Sequence, residues 1–126
     1  MNGNKNKLSE KMEGNLQDRT KRFSKKIILL VKDFSDSPAS RVIINQLPRS
    51  ATSVGANTRA AYRERSKKEF VAKIGVVIEE TDESKFWLEL ADETGLCNSS
   101  KKKPLETEAN EIVSIFTSIS KKAKNE

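Results

Sequence analysis

The chain has 126 residues, of which 35% are hydrophobic and 33% are charged, and this length suits one compact domain. It contains no histidine and one cysteine, which excludes histidine-based acid–base catalysis, an intramolecular disulfide and a cysteine-rich zinc site. Lysine and arginine number 24 against 18 acidic residues, and the net charge of +6 favours an anionic partner if the excess lies on one face.

The sign of the charge alternates along the chain. Residues 1–26 and 41–73 are basic, whereas residues 74–99 are acidic. Either oppositely charged helices lie side by side and pair their charges, or the basic stretches form a surface for an anionic partner.

No segment predicts a membrane span or a secretory signal. The longest apolar run is Ile27–Val31, and the polar N-terminal segment lacks the apolar centre of a signal peptide. We therefore expect a cytoplasmic protein without a membrane partner, in which Cys97 stays unpaired.

The N-terminal half predicts a flexible polar leader over residues 1–15 and then two helices. Apolar residues recur at helical spacing from Leu16 to near Phe34, which indicates a first amphipathic helix. Ser37 as N-cap and Pro38 as first helical residue begin a second helix, in which Pro48 predicts a kink or break near Leu47. Small residues over 50–61 predict a closely packed neighbour.

A capping box at Ser66–Glu69 begins a long third helix. Its predicted buried stripe is Phe70, Ile74, Val77, Thr81, Ser84, Leu88 and Ala91. Phe86 and Leu90 fall outside this stripe, and they are either scattered surface residues or an oligomer contact. Gly95 ends the helix.

The C-terminal part predicts a polar connector over 97–103 and a fourth helix that begins at Pro104 and ends in basic residues. Four amphipathic helices with short loops and no strand pattern predict an all-α, antiparallel up-down four-helix bundle over residues 16–122, followed by a polar tail at 123–126.

The acidic residues of the third helix are a weak candidate for a metal site. Glu79 and Glu83 share a helical face, but the carboxylate metal sites of bundles also use histidine. Ion pairs with Arg59, Arg63 or the first helix are the favoured interpretation. No phosphate-binding loop or nucleophile motif is present, so we expect no enzymatic activity, no cofactor and no small-molecule substrate.

The best functional candidate is a basic stretch between the second and third helices, where several cations are able to meet phosphates together. Its residues are Arg59, Arg63, Arg65, Lys67, Lys68 and Lys73. A solvated turn without a ligand is the alternative. Tyr62 and Phe70 are the only aromatic residues nearby, which argues against base stacking.

Three segments together are specific for one family. The chain reads N-Q-L-P-R-S-A-T-S-V-G-A-N at 45–57, S-K-K-E-F at 66–70 and F-W-L-E-L at 86–90. In this combination, and over roughly residues 23–119, it resembles the four-helix bundle proteins of the 23S rRNA intervening-sequence family.

The resemblance implies a left-handed bundle that assembles into a homopentameric ring, is encoded in bacterial genomes and has no established enzymatic activity. A distant relative in diversity-generating retroelements is a basic pentamer that binds its reverse transcriptase and nucleic acid. Residues 53–57 resemble the family's close helix-packing segment, residues 59–68 its basic helix junction, and Pro48 departs from the helix former expected there.

Two functional hypotheses follow. The first is a homo-oligomer that binds RNA or a nucleic-acid–protein complex through its basic residues. The second is a structural or protein-interaction module without a nucleic-acid partner.

Overall fold

The computed structural model describes the backbone of residues 3–126 and the side chains from Glu10 onward. This part of the chain forms four α-helices: α1 (Gly3–Val31), α2 (Arg41–Ala61), α3 (Lys67–Glu93) and α4 (Ser99–Lys124). Within residues 3–126 there is no strand, so the predicted all-α class is confirmed.

Each helix packs against the next one in the chain, and α4 closes onto α1. Contacts between α1 and α2 run in opposite directions: Ser24 of α1 contacts Ala51 of α2, whereas Thr20, one turn earlier, lies against Gly55, one turn later. The predicted four-helix bundle is confirmed, and its up-down order and left-handedness stay predictions.

The core confirms the predicted stripe of α3. Ile74, Val77, Thr81, Ser84, Leu88 and Ala91 are its buried residues, whereas Phe70 is half-buried. In the other helices, the largest fully buried side chains are Phe23, Ile27, Leu47, Ile112 and Phe116. Burial of a helical face at this spacing is the main source of stability for a bundle of this size.

Two buried threonine hydroxyl groups are satisfied within their own helices. Thr58 and Thr81 donate to the carbonyl oxygens of Val54 and Val77, at 2.8 and 2.7 Å. These short bonds allow polar side chains to line the helix contacts without a desolvation penalty.

The contact between α1 and α2 is unusually close at Gly55. Ser24 Oγ lies 2.6 Å from the carbonyl oxygen of Ala51, to which it donates. A Cβ atom on Gly55 would lie 2.8 Å from Ser24 Oγ and 3.4 Å from the Cα atom of Lys21. The predicted close neighbour of the small-residue stretch is therefore α1.

Two helices begin earlier than predicted. α1 begins at Gly3, not Leu16, so residues 3–15 of the predicted leader are helical, and Met1 and Asn2 lie outside the described residues. Once α1 is nucleated by its packed part, each added residue gains a hydrogen bond, and no proline stops it.

α4 begins at Ser99, not Pro104, because the Asn98 side chain accepts from the N–H of Ser100 at 2.9 Å and caps the helix. The predicted connector therefore ends at Asn98, and α4 extends to Lys124, into the predicted tail.

The other predicted helix signals have mixed outcomes. α2 begins at Arg41, not at Pro38 as predicted, and the Ser37 side chain belongs to the preceding turn, where its Oγ accepts from the N–H of Ser40 at 3.1 Å. α2 then continues through Pro48 without a break. Ser66 caps α3 by accepting from the N–H of Glu69, and Gly95 follows the end of α3 with φ of +78°. No described helix is long and apolar enough to cross a membrane.

The joint between α1 and α4 is held by a forked ion pair. Arg19 donates to both carboxylate oxygens of Glu108 at 2.8 Å and to Glu111 at 2.6 Å. The hydrogen bond from Arg19, opposed in part by burial, lowers the pKa of Glu108 below its ordinary value. Ionisation of Glu108 therefore stabilises the native state.

We predict that Gly55→Ala and Gly75→Ala have opposite effects on stability. A Cβ atom at Gly75 meets nothing within 4 Å, so the helix propensity of alanine should raise the free energy of unfolding by about 0.5–1 kcal/mol. At Gly55 the new methyl group displaces the Ser24 hydroxyl and breaks its buried hydrogen bond, for a net loss of about 1 kcal/mol.

Urea denaturation of both variants measures this difference. In a Ser24→Ala background the nearest obstacle is gone, and Gly55→Ala should become neutral or stabilising. A loss of the same size in that background would contradict the steric explanation.

We predict that Glu108→Gln lowers the free energy of unfolding at neutral pH by about 0.5–1 kcal/mol, a modest value because the pair is partly exposed. Since the folded pKa is depressed, this stabilisation is present above the ordinary carboxyl pKa and is lost as the pH falls through the folded value. Denaturant titrations should therefore show the two proteins converging in acid. Glu93→Gln, at an exposed carboxylate without an ion-pair partner among the described side chains, should show no such convergence.

Candidate nucleic-acid interface

The six predicted basic residues lie together at one end of the bundle. Arg59 is in the last turn of α2, and Arg63 and Arg65 are in the turn at 62–66. Lys67 and Lys68 form the start of α3, and Lys73 follows two turns later. All are exposed except Lys73, which is half-buried.

The end of α4 adds three more cations to this end of the bundle. Lys121, Lys122 and Lys124 occupy its last turn, and all three are exposed. A shared hollow lined by Tyr62, Ser66, Phe70 and Ala123 shows that the end of α4 meets the turn between α2 and α3. Lys67 Nζ also donates to the main-chain carbonyl oxygen of Glu126 at 2.6 Å.

This contribution of α4 was not predicted from the sequence, in which the basic residues only mark the end of the fourth helix. Antiparallel neighbours in a bundle bring the last turn of α4 beside the first turn of α3. We call the nine residues together the basic end: Arg59, Arg63, Arg65, Lys67, Lys68, Lys73, Lys121, Lys122 and Lys124.

The cations of the basic end make no ion pair with a side-chain carboxylate among the described residues. Some cations elsewhere are paired: Arg19 binds Glu108 and Glu111, and Lys102 lies 3.3 Å from both Asp92 and Glu106. The positive charge of the basic end is therefore not neutralised by direct ion pairs among the described side chains.

Two carboxylates lie within the basic end and interact with each other. A hydrogen bond with Glu69 is the largest cause that raises the pKa of Glu64, and the nearby Lys73 opposes it. The half of the capping box seen here is the Ser66 bond to the N–H of Glu69.

The aromatic residues of this end belong to the packing of the bundle. The rings of Tyr62 and Phe70 are 5.4 Å apart at 59°, and both side chains pack against the core. Burial is the main cause that raises the pKa of Tyr62 to about 12. Neither ring stands free as a platform for base stacking, in agreement with the sequence analysis.

The acidic residues of α3 have a different ion-pair partner from those predicted. Arg49 of α2 pairs with Glu83 and lies 3.3 Å from Glu80, whereas Arg59 and Arg63 take no part in these pairs. The prediction failed because Arg49 lies well before the basic stretch that was considered, nearer the middle of α2. The described residues contain no cluster of three or more potential metal ligands.

The two candidate oligomer residues have different surroundings. The Phe86 side chain is 53% exposed and touches the Trp87 ring edge-on, with the ring centres 4.9 Å apart. Leu90, in contrast, is half-buried and packs against the core. The expected outward projection is therefore right for Phe86 and incomplete for Leu90, which lies at the edge of the α3 surface.

Comparison with known proteins agrees with this fold. A crystal structure from Bacteroides thetaiotaomicron, described as a protein with unknown function from the S23 ribosomal protein family, has 29% sequence identity and a TM-score of 0.78. The alignment covers 84% of this chain and 98% of that one. No curated protein matches this chain.

The family model described as 23S rRNA-intervening sequence protein matches residues 13–118. This range includes α2 and α3 whole, together with most of α1 and α4. The chain belongs to the 23S rRNA-intervening sequence protein family.

Proposed function

We propose that this protein binds RNA through the phosphates that meet the basic end, and that it acts by binding without a catalytic step. The observation that carries this proposal is the group of exposed cations without carboxylate partners where α2, α3 and α4 meet. Three arginines provide forked donors for phosphate oxygens, and the lysines add point charges.

The proposed binding is tolerant of sequence. Tyr62 and Phe70 are engaged in packing, so the basic end offers cations and few groups that read bases. Affinity then comes chiefly from the release of counterions and falls steeply with salt.

The rival hypothesis is a structural or protein-interaction module whose charges only pair with one another. Within one chain, pairing accounts for Arg19, Arg49 and Lys102, but not for the basic end. RNA binding is therefore the better-supported function, and the rival predicts salt-insensitive or absent binding.

The proposal includes self-association in the cytoplasm. The exposed Phe86, with Leu90 at its side, is the proposed contact, and five copies is the number implied by the family resemblance. RNA binding does not depend on this number, because the basic end of each copy is complete in itself.

We predict that Arg63→Ala combined with Lys68→Ala weakens binding of a labelled single-stranded RNA. Both side chains are exposed, so folding should be unaffected, and the salt slope should fall by about 0.7 for each phosphate that the variant no longer neutralises. Fluorescence anisotropy over a series of salt concentrations measures both quantities.

The matched control is Lys101→Ala combined with Lys103→Ala. It removes the same charge from exposed residues near the start of α4, at the opposite end of the bundle. An equal drop in affinity for the two double variants would mean that net charge, not the basic end, governs binding. Wild-type affinity that is independent of salt would contradict the proposed function.

We predict that Glu64→Gln strengthens RNA binding at neutral pH by about two- to fivefold, because it removes a negative charge from the basic end. Since the pKa of Glu64 is raised, wild-type protein should gain affinity as the pH falls toward that value and the carboxylate becomes neutral. Glu64→Gln should lack this part of the pH dependence. Glu93→Gln, at the other end of α3, should retain it, and identical pH profiles for all three proteins would refute the role of Glu64.

A further inference from the structure

The outward surface of α3 is acidic around one aromatic residue. Phe86 lies opposite the buried stripe, and at 100° per residue its neighbours on that surface are carboxylates, apart from the half-buried Leu90. We call this the acidic face of α3; its residues are Glu79, Asp82, Phe86, Glu89 and Glu93. It extends for about 21 Å along the helix.

The outward surface of α1 has the complementary composition. Ile28 and Leu29 are 42% and 50% exposed, and exposed cations surround them within an arc of about 120°. We call this the basic face of α1; its residues are Lys21, Arg22, Lys25, Ile28, Leu29 and Lys32. The carboxylate of Asp18 shares this arc, at the N-terminal edge of the face.

Most charges of these two faces lack a partner among the described side chains. Glu79, Asp82 and Glu93 make no ion pair, and Glu89 has only Lys85, at 4.0 Å. The four cations of the basic face likewise make none. Exposed apolar side chains that are surrounded by unpaired charged residues are typical of a surface that binds a partner of opposite charge.

The two faces point away from each other. α1 packs against α2 and α4, and α3 packs against the same two helices, so α1 and α3 occupy opposite corners of the bundle. The faces therefore cannot meet within one chain. They are able to meet between copies, in a head-to-tail contact that leaves one face of each kind open for the next copy.

We propose that the basic face of α1 in one copy docks on the acidic face of α3 in the next, with Phe86 seated against Ile28 and Leu29. This inference rests on the self-association proposed above, and it names the two surfaces that meet. A second copy is the favoured occupant because each chain supplies both halves of the complementary pair, in charge and in apolar contact.

Charge reversal of each face tests the contact. One variant carries Lys21→Glu and Lys25→Glu, another carries Glu79→Lys and Asp82→Lys, and a third carries all four substitutions. The masses of these nuclease-treated proteins are measured by light scattering at low salt, beside that of the wild type. All four positions are exposed, and circular dichroism checks the helical fold.

Each two-residue reversal should reduce the mass to that of one chain, 14.2 kDa. The four-residue variant should assemble again, because both faces have changed sign and are complementary once more. A misfolded protein would not be rescued by two further substitutions, so recovery distinguishes a disrupted interface from a disrupted fold.

The matched control is Lys103→Glu with Lys121→Glu, which makes the same charge change on exposed residues of α4 and should keep the wild-type mass. Oligomers that survive both reversals, or a four-residue variant that stays monomeric, would overturn the proposed interface and leave self-association standing. A monomeric wild type would overturn self-association as well. The RNA-binding proposal is judged separately, by Arg63 and Lys68.

Discussion

The close approach of helices on both sides of α2 is the constraint on which the rest of the structure depends. On one side, Gly55 and Ala51 bring α1 near enough for Ser24 to donate to a main-chain carbonyl group of α2. On the other side, Ser50 Oγ lies 2.9 Å from Ser84 Oγ of α3. Small side chains at adjacent positions of one helix thus fix two neighbours, because a larger side chain at either position would force the backbones apart. α1 and α3 are thereby placed on opposite sides of α2.

The position of α4 follows from this arrangement, and it determines the composition of the basic end. α4 packs between α3 and α1 and buries Ile112 and Phe116. The ion pair between Arg19 of α1 and Glu108 of α4 joins these two helices. The C-terminal turn of α4 then lies beside the first turn of α3, and its lysines join the arginines of the 62–66 turn. Positive charge at this end is a consequence of antiparallel packing, which brings together residues separated by much of the chain. No single basic run in the sequence contains all of it.

Helix periodicity was sufficient to predict the interior, because residues such as Ile74 and Leu88 recur at the spacing that buries one helical face. It was insufficient at the helix ends, where the outcome depends on local hydrogen bonds: Asn98 caps α4 before Pro104, and α1 continues back to Gly3. The residues of the basic end that are close together in the sequence were predicted, whereas the lysines of α4 were not. Contacts between segments distant in sequence depend on how the helices pack. The predicted ion-pair partners of Glu83 were wrong for the same reason. Which residue opposes it depends on the register between α2 and α3, and this register places Arg49 there.

The alternation of charge along the chain acquires a spatial meaning once the helices are placed. Two interpretations of this alternation are open from the sequence: charge pairing between helices, or a surface for an anionic partner. Within the bundle, pairing is local and modest, as at Arg19 and Arg49, and exposed pairs of this kind contribute little to stability. The remaining charges separate by position: opposite signs on opposite sides, at α1 and α3, and one sign at the end where α2, α3 and α4 meet. Contact between sides of opposite sign would neutralise them in an assembly, whereas the ends would stay free in every copy. The two interpretations are therefore compatible, because they concern different surfaces. Association through the sides would also bring several basic ends together. The assembly would then bind more tightly to an RNA whose phosphate backbone is long enough to contact more than one basic end.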